Sequence, residues 1–380
     1  MKILVFSPYY PPHVGGLESH ADEFNKHLSQ KGMDITVFTP RIPKNAPDFE
    51  IIHNNVKVYR FPSFEIISNY PVPKFWSAVF WKLYRKLFEE NYDIVISRTR
   101  FFLTSLLALI YAKVKKVRWI HIEHGSDFVK SGGTFSVIIA RLYDYTFGKL
   151  ILVSAEKIIA NSKASAEFCR KISPRINCEI IYRGVEIKNI KFVEPDVKIK
   201  ERYPNDCIIT FMGRLIDGKG VADLLNAAKN IKENFKIFIV GDGPQAEALK
   251  RLAKKSDMEK KIVFFGHQTF ENTIGILKIS DILVNPSYTE GLPTTVIEAA
   301  LCKKAIIATN VGGTPEIISE NNDGFIIEPK NVALLKEKLE ILIKDKKIRV
   351  EFGNNAFEKV KDKFDWNKSI EQYLKIFKNF

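Results

Sequence analysis

Short apolar runs of strand length recur along the whole chain, each followed by a turn and a helical stretch. No other feature constrains the fold as strongly. In the first half the runs are KILVFSP (2–8), DITVFTP (34–40), YDIVISRT (92–99) and VRWIHIEHG (117–125). In the second half they are DCIITFMGRL (206–215), FKIFIVGDGP (235–244), KIVFFGHQ (261–268), DILVNPS (281–287), KAIIATN (304–310) and GFIIEP (324–329). Many are continuously apolar rather than alternating, which is how strands buried on both faces read. Between them lie helical segments. LESHADEFNKHLSQKG (17–32) sets apolar or small residues at 17, 21, 24 and 28, while GVADLLNAAKNIKEN (220–234) and EALKRLAKKS (247–256) read as helices. AEKIIANSKASAEFCRK (155–171) reads as strand, serine cap and helix. This alternation predicts an α/β, doubly wound fold with parallel sheets covered by helices on both faces.

At 380 residues the chain is too long for one ordinary core, so two domains are expected. Periodicity fades and charges mix between Arg183 and Asp206, which puts the join there. The segment FDWNKSIEQYLKIFKNF (364–380) reads as an amphipathic helix. A hydrophobic fraction of 46% with 27% charged residues fits a folded chain rather than a disordered one. The start MKILVFSPYYPP has one lysine and only a short apolar run before its prolines, so no secretory signal is expected. FFLTSLLALIYA (101–112) is uncharged over 12 residues, where a spanning helix needs about 20. No transmembrane segment is therefore expected. The four cysteines (169, 178, 207, 302) have no metal-ligand spacing and suit a reducing cytoplasm.

The net charge of +14 is uneven. Residues 74–120 hold ten Lys/Arg against Glu89, Glu90 and Asp93, a local excess of +7. An anionic partner is implied: nucleic acid, a membrane surface or a phosphorylated substrate. Within this region PKFWSAVFWKLYRKLFEE (73–90) mixes aromatic and cationic residues at helical spacing. It suits an interfacial helix at a membrane, against the alternative of a core helix with a solvated cationic face. No DNA- or RNA-binding motif accompanies the charge, so nucleic acid is not expected.

In a doubly wound fold, ligands bind at the carboxyl ends of strands. The residues there are glycines with a few charges. GRLIDGKG (213–220) sets Arg214 and Lys219 in the turn and helix start after a strand, where cations and exposed amides suit a diphosphate. The same octapeptide fits a solvated loop. Gly220 stands where a phosphate-binding loop of the nucleotide triphosphatases needs Ser or Thr, which argues against that chemistry. PPHVGGLESH (11–20) places Gly15 and Gly16 at a helix start, open to a phosphate or simply a flexible turn; Glu18 and His20 are expected on the helix exterior. IHIEHGSDF (120–128) ends a strand at His124, a candidate for bonding a sugar hydroxyl or phosphate or for acid–base work. Asp127 is a candidate to orient it or to meet an acceptor, and His121 reads as a packed core residue. In YTEGLPTTVIEAA (288–300), Pro293 favours a helix start, with Glu290 in the loop before it and Glu298 in the helix. Two carboxylates flanking a helix N-terminus match a ligand with polyols at both ends of a diphosphate, as in a nucleotide sugar.

The stretches GGLESH, EHGSD, GRLIDGKG, VGDGP, EGLPTTVIEA and VGGTPEII, in this order, resemble the retaining glycosyltransferases of family 4, the glycosyl transferases group 1 type. The resemblance covers nearly the whole chain, and the pair Glu290 and Glu298, with seven residues between, is its most specific mark. It implies two facing Rossmann-like domains (the GT-B architecture) with a donor cleft between them. The first, acceptor-binding domain is expected over 1–185, with a C-terminal helix 365–380 packing back on it. The second, nucleotide-sugar-binding domain is expected over 186–364.

Carried onto this sequence, the resemblance gives catalytic roles to Arg214, Lys219, Glu290 and His124. Arg214 and Lys219 would bind the diphosphate, Glu290 the sugar hydroxyls and Glu298 the ribose. Gly15, Gly16, Gly213, Gly241, Gly243, Gly291 and Leu292 would line the donor site, with Asp127 on the acceptor side. Base recognition is expected near Gly241–Gly243 and Phe265–Gln268. No cofactor or metal is implied, and no Asp-x-Asp occurs. The expected partners are a nucleotide-sugar donor and a glycan or lipid-linked acceptor. The expected place is the cytoplasm, peripheral to the membrane inner face through 73–90. A nucleotide-sugar 2-epimerase of the same fold, or a non-catalytic sugar-nucleotide-binding protein, are the alternatives. Two departures stand out. The usual Asn-Gly-Val-Asp reads Arg183-Gly-Val-Glu186, and the usual Cys-Gly-Lys-Pro reads Cys302-Lys-Lys-Ala305; neither falls on residues assigned to the chemistry.

Overall fold

The computed structural model describes residues 1–66, 70–129 and 133–379. The chain divides into two compact units, Met1–Arg183 with Trp366–Phe380, and Gly184–Asp365.

The first unit runs β1 (Lys2–Phe6), α1 (Gly16–Gln30), β2 (Asp34–Pro40), β3 (Phe49–Ile52), β4 (Val56–Phe61), β5 (Ser63–Ile66), β6 (Tyr70–Pro73), α2 (Ala78–Glu89), β7 (Ile94–Arg98) and α3 (Leu103–Lys115). It continues with β8 (Arg118–Glu123), α4 (Thr134–Tyr143), a π turn, α5 (Lys149–Ser154), β9 (Lys157–Ala160), α6 (Lys163–Ile172) and β10 (Cys178–Ile180). Eight strands lie in the order β10-β9-β8-β7-β1-β2-β4-β3. All neighbours are parallel except the edge strand β3, which runs antiparallel to β4. Ile3, Val5, Ile35, Val37, Ile94 and Ile96 are fully or almost fully buried. β-Branched residues suit such a pleated surface packed on both sides. One face packs against α1 and the C-terminal helix, through Phe24, Leu28, Ile370 and Tyr373. The other packs against α2, α3 and α5 through Phe80, Tyr84, Leu107, Tyr111 and Ile151. Ser162 caps α6, its hydroxyl accepting from Ser165 N at 3.0 Å, as the serine-cap reading of this segment expected.

The second unit begins with two short helices, α7 (Ile187–Phe192) and α8 (Val197–Glu201), where the sequence showed only fading periodicity. It continues β11 (Cys207–Met212), α9 (Val221–Ala228), β12 (Phe235–Val240), α10 (Ala246–Lys255), β13 (Ile262–Gly266), α11 (Phe270–Ile279), β14 (Ile282–Asn285), α12 (Thr294–Leu301) and β15 (Ala305–Thr309). After these come α13 (Thr314–Ile317), β16 (Phe325–Ile327), α14 (Val332–Lys344) and α15 (Lys346–Val360). Its six strands are all parallel, in the order β13-β12-β11-β14-β15-β16. α9 stops at Ala228, six residues short of the sequence reading, because 229–234 turns back to lead into β12.

The last helix, α16 (Trp366–Lys378), belongs to the first unit and buries Trp366, Ile370, Tyr373 and Phe377 there. Phe380, the end of the expected helix, lies outside the described residues. Each sheet reverses its strand order once, between β1 and β7 in the first unit and between β11 and β14 in the second. A crevice opens at such a reversal beyond the carboxyl ends of the strands, and ligands bind there.

Candidate active site

In the second unit the loops after neighbouring strands are laced together by backbone bonds. Gly213 N donates to Val240 O (3.0 Å), Leu215 N to Asp242 O (2.8 Å) and Gly241 N to Gly266 O (2.8 Å). The segment after β11 then crosses to the loop after β14. Gly220 makes that approach possible. Its φ is +65°, and a Cβ there would run into the carbonyl of Pro286. This close packing requires glycine after Lys219. Tyr288 N donates to Gly218 O at 2.8 Å, and Tyr288 Oη donates to Asp223 Oδ2 at 2.9 Å. Burial, with help from Asp223, pushes the Tyr288 phenol up to about 12.

These constraints bring Lys219 and Glu290 together, with Nζ 2.6 Å from Oε1. The pair bridges the two strands at the reversal of the sheet. Both side chains are partly buried, in keeping with a site rather than a solvated surface pair. The Glu290 backbone is fastened from the other side by the turn after β15. Gly312 has φ +51°, a Cβ there would strike the Glu290 carbonyl, and Gly313 N donates to Gly291 O at 2.7 Å. Leu292 is buried, and α12 starts at Thr294, with Pro293 just before it rather than in its first turn. Glu298 is the fifth residue of that helix and half-buried. Arg214 is exposed in the loop after β11. Gly241 and Gly243 lie in the next loop, and the Gln268 side chain donates to Phe265 O at 2.7 Å. Lys219, Glu290, Gly291 and Leu292 are thus held in one laced group of loops.

In the first unit, two expectations are corrected. Glu18 and His20 do not face the exterior: they are 3% and 2% exposed. The loop before α1 folds over the first helical turn, so Glu18 is bonded to His13 and lies against Gly15. A carboxylate is favoured at the positive end of a helix. His20 Nδ1 accepts from Arg98 Nη1 at 2.7 Å, and its ring packs on Trp366 and His124. Its partners come from β7 and α16, far away in sequence, and helical periodicity carries no trace of them. Arg183 Nη1 donates to Gly16 O at 2.7 Å, at the start of α1.

His124 follows β8. Asn161 Nδ2 lies 3.3 Å from its Nδ1, so Nδ1 accepts and Nε2 carries the proton. Nε2 is buried and has no protein partner among the described residues. Burial, then the nearby Arg98 charge, holds His124 well below the ordinary imidazole pKa, so the ring is a neutral N–H donor near pH 7. His20 is held down in the same way, by burial and then by His124 and Arg98. Asp127 Oδ1 accepts from Phe128 N at 2.8 Å.

Beneath His124 lies a buried ionic network absent from the sequence reading. Glu123 Oε1 accepts from the amides of His124 (2.9 Å) and Gly125 (2.7 Å). Its Oε2 pairs with Arg100 Nη1 (3.0 Å), and Arg100 Nη2 pairs with Asp144 (3.0 Å). Burial alone would raise Glu123, but Arg100, His121 and the Gly125 amide outweigh it and hold the carboxyl well below the usual range. Burial pushes Asp144 up to about 6 against the pull of Arg100. His121 is fully buried and bonded to Ser97, a core residue as expected. One signal could have revealed the network: Arg98 and Arg100 directly follow an apolar strand run, and Glu123 is the sole acid in the next one.

The profile of "Glycosyltransferase Family 4" matches residues 14–189, and that of "Glycosyl transferases group 1" matches residues 193–359. The chain is 41% identical to an uncharacterized glycosyltransferase of Methanocaldococcus jannaschii, MJ1069, over 99% of this chain and 98% of that one. It is 28% identical to the N,N'-diacetylbacillosaminyl-diphospho-undecaprenol alpha-1,3-N-acetylgalactosaminyltransferase of Campylobacter jejuni, over 72% of this chain and 73% of the relative. Among solved structures, Anabaena Alr3699/HepE in complex with UDP superposes with a TM-score of 0.78 at 18% identity, covering 100% of both chains. That likeness establishes two Rossmann-like domains of the GT-B class.

Proposed function

Because the chain belongs to the group 1 glycosyl transferases of glycosyltransferase family 4, we propose that it moves a sugar from a nucleotide-diphosphate sugar to an acceptor hydroxyl with retention of configuration and without a metal ion. The observation that carries this reading is the Lys219–Glu290 pair at the strand reversal of the second sheet, beside the start of α12. Lys219 and Arg214 meet the diphosphate, and Glu290 positions Lys219 while accepting from sugar hydroxyls. Glu298 accepts from the ribose. The glycine loops Gly213, Gly241–Gly243 and Gly291, with Leu292, admit the donor closely. His124 offers its Nε2–H to a hydroxyl, and Asp127 lies on the acceptor side.

In the reaction the bond from the anomeric carbon to the diphosphate breaks, with its electron pair leaving on the phosphate oxygen. Two cations stabilise that charge, the role a metal plays elsewhere. The acceptor hydroxyl adds to the same face and its proton passes to the departing phosphate oxygen. The name of the Campylobacter relative supports a lipid-linked acceptor, and so a place on the inner face of the membrane, in the biosynthesis of a cell-surface glycan. No helix among the described residues is long and apolar enough to cross a membrane.

The test is nucleotide release from a panel of UDP-, GDP- and other nucleotide sugars with short polyprenyl-linked acceptors in EDTA, with the product anomer read by NMR. One donor is expected to turn over with retention. An inverted product, or turnover only after divalent metal is added, contradicts the mechanism. Release without any transfer to an acceptor would favour hydrolysis or epimerisation instead.

A further inference from the structure

The helix that follows the His124 loop is apolar on its solvent side. Residues 134–154 run continuously as α4, one wide π turn and α5. Ala140, Asp144, Gly148, Ile151 and Leu152 point inward and are buried. On the outer side Phe135 is 75% exposed, Leu142 63%, Ile138 59%, Val153 53%, Ile139 50% and Leu150 45%. A helix packed on a core by one face ordinarily turns polar residues to water. The neighbouring α6 does so: its exposed residues are Lys163, Glu167, Arg170 and Lys171. A run of large exposed apolar side chains of this extent marks an interaction surface.

We propose that the outer face of 134–154 beds into the surface of an anionic lipid bilayer. Charge selects that occupant. The single acid of the segment, Asp144, is buried against Arg100, so the exposed face carries Arg141 and Lys149 and no carboxylate. The helices beside it extend the pattern. α3 packs against α5, and α2 is tied to α3 by Tyr84 Oη to Leu107 O (2.9 Å) and Tyr111 Oη to Leu87 O (3.1 Å). α3 exposes Lys113, Val114 and its cap Lys116. α2 exposes Trp81, Lys82, Arg85 and Lys86, and its one exposed acid is Glu89. Apolar side chains with interspersed cations and almost no acids are what a headgroup layer of negative charge recognises. A second copy of the chain is a poor occupant, because an isologous contact sets this cationic face against itself. The proposal rests on the membrane placement proposed above and names the surface that makes it; it is read by binding to lipid and not by turnover, so it can fail while sugar transfer stands.

The test is co-sedimentation of the full chain with phosphatidylcholine vesicles with and without phosphatidylglycerol, at low and high salt. Wild type is expected to bind the anionic vesicles and to be released by salt. Phe135→Asp with Leu142→Asp is expected to weaken binding by about tenfold or more, and Arg141→Glu with Lys149→Glu to weaken it likewise. Thermal melting of each variant checks that it is folded, and the two pairs serve as independent tests. Trp76→Asp, at the entry to α2, is expected to have the smaller effect. The proposal is overturned if wild type ignores anionic vesicles at low salt, if both folded double variants bind as wild type does, or if binding is lost only with Trp76→Asp. It is also overturned if wild type sediments as a dimer that Phe135→Asp with Leu142→Asp splits into monomers.

Discussion

At the scale of single residues, charge placed out of water governs the first unit. Glu123 and Arg100 are buried together, so removing one partner strands the other. Glu123→Gln is predicted to lower the unfolding free energy by about 3–5 kcal/mol, read from the urea midpoint. An unchanged midpoint would show that the network carries no such load. The two histidines set a pH dependence. His20 and His124 both have folded-state pKa values below the ordinary one, so below about pH 6.5 the unfolded chain takes up protons that the folded chain refuses. Stability is therefore predicted to fall as pH drops through about 6.5, by up to roughly 1.4 kcal/mol per pH unit for each histidine. Glu123 adds a lower window: its contribution is present above the ordinary carboxylate pKa and is lost as pH falls toward the depressed one. Equal urea midpoints at about pH 7.5 and about pH 5.5 would contradict the assignment. Lys219 and Glu290 stood out in the sequence because each lies in a glycine-containing turn after an apolar run, but their pairing across 71 residues did not. Arg98, Arg100 and Arg183 did not stand out, because a cation beside an apolar run looks the same whether it faces water or a buried partner; only the lone acid Glu123 in the next run hinted at the network.

At the scale of elements, the central strands were readable because burial on both faces writes a continuous apolar run. The edge was not. FEII (49–52) forms β3 against β4 with alternating exposure, and so short a half-exposed strand does not stand out from a loop. The short helices α7 and α8 escaped for a related reason, since one or two turns give periodicity no room to show. The loops that hold the site depend on glycine more than on side chains. Gly312→Ala puts a Cβ into the Glu290 carbonyl at positive φ, a strain of about 1–3 kcal/mol. The prediction is a lower melting temperature together with weaker nucleoside diphosphate binding, because the turn that yields also fastens Glu290. Lowered stability with unchanged binding would separate the turn from the site. Lys219→Ala, in contrast, removes a partly exposed pair, so its cost in stability is predicted to be within about 1 kcal/mol. Its cost in kcat is predicted to be about 10²–10³-fold, measured as initial rates at saturating donor.

At the scale of the molecule, a doubly wound fold in two parts was legible from the alternation of strands and helices alone, and motif order made the family recognisable. What stayed hidden was the way distant segments meet: the C-terminal helix on His20, and Arg183 on Gly16. These are contacts across more than a hundred residues, and no local pattern encodes them. The central claim concerns the second unit, that its laced strand-end loops form a nucleoside diphosphate site needing no metal. The measurement that tests it most directly is thermal stabilisation of wild type and Glu298→Ala by a panel of nucleoside diphosphates in EDTA. At about 100 times its dissociation constant, the right nucleotide should add roughly 2.7 kcal/mol to wild type. Glu298→Ala should lose most of that gain while melting close to wild type in its absence. If no nucleotide raises the melting temperature, or if Glu298→Ala is stabilised as fully as wild type, the donor site lies elsewhere.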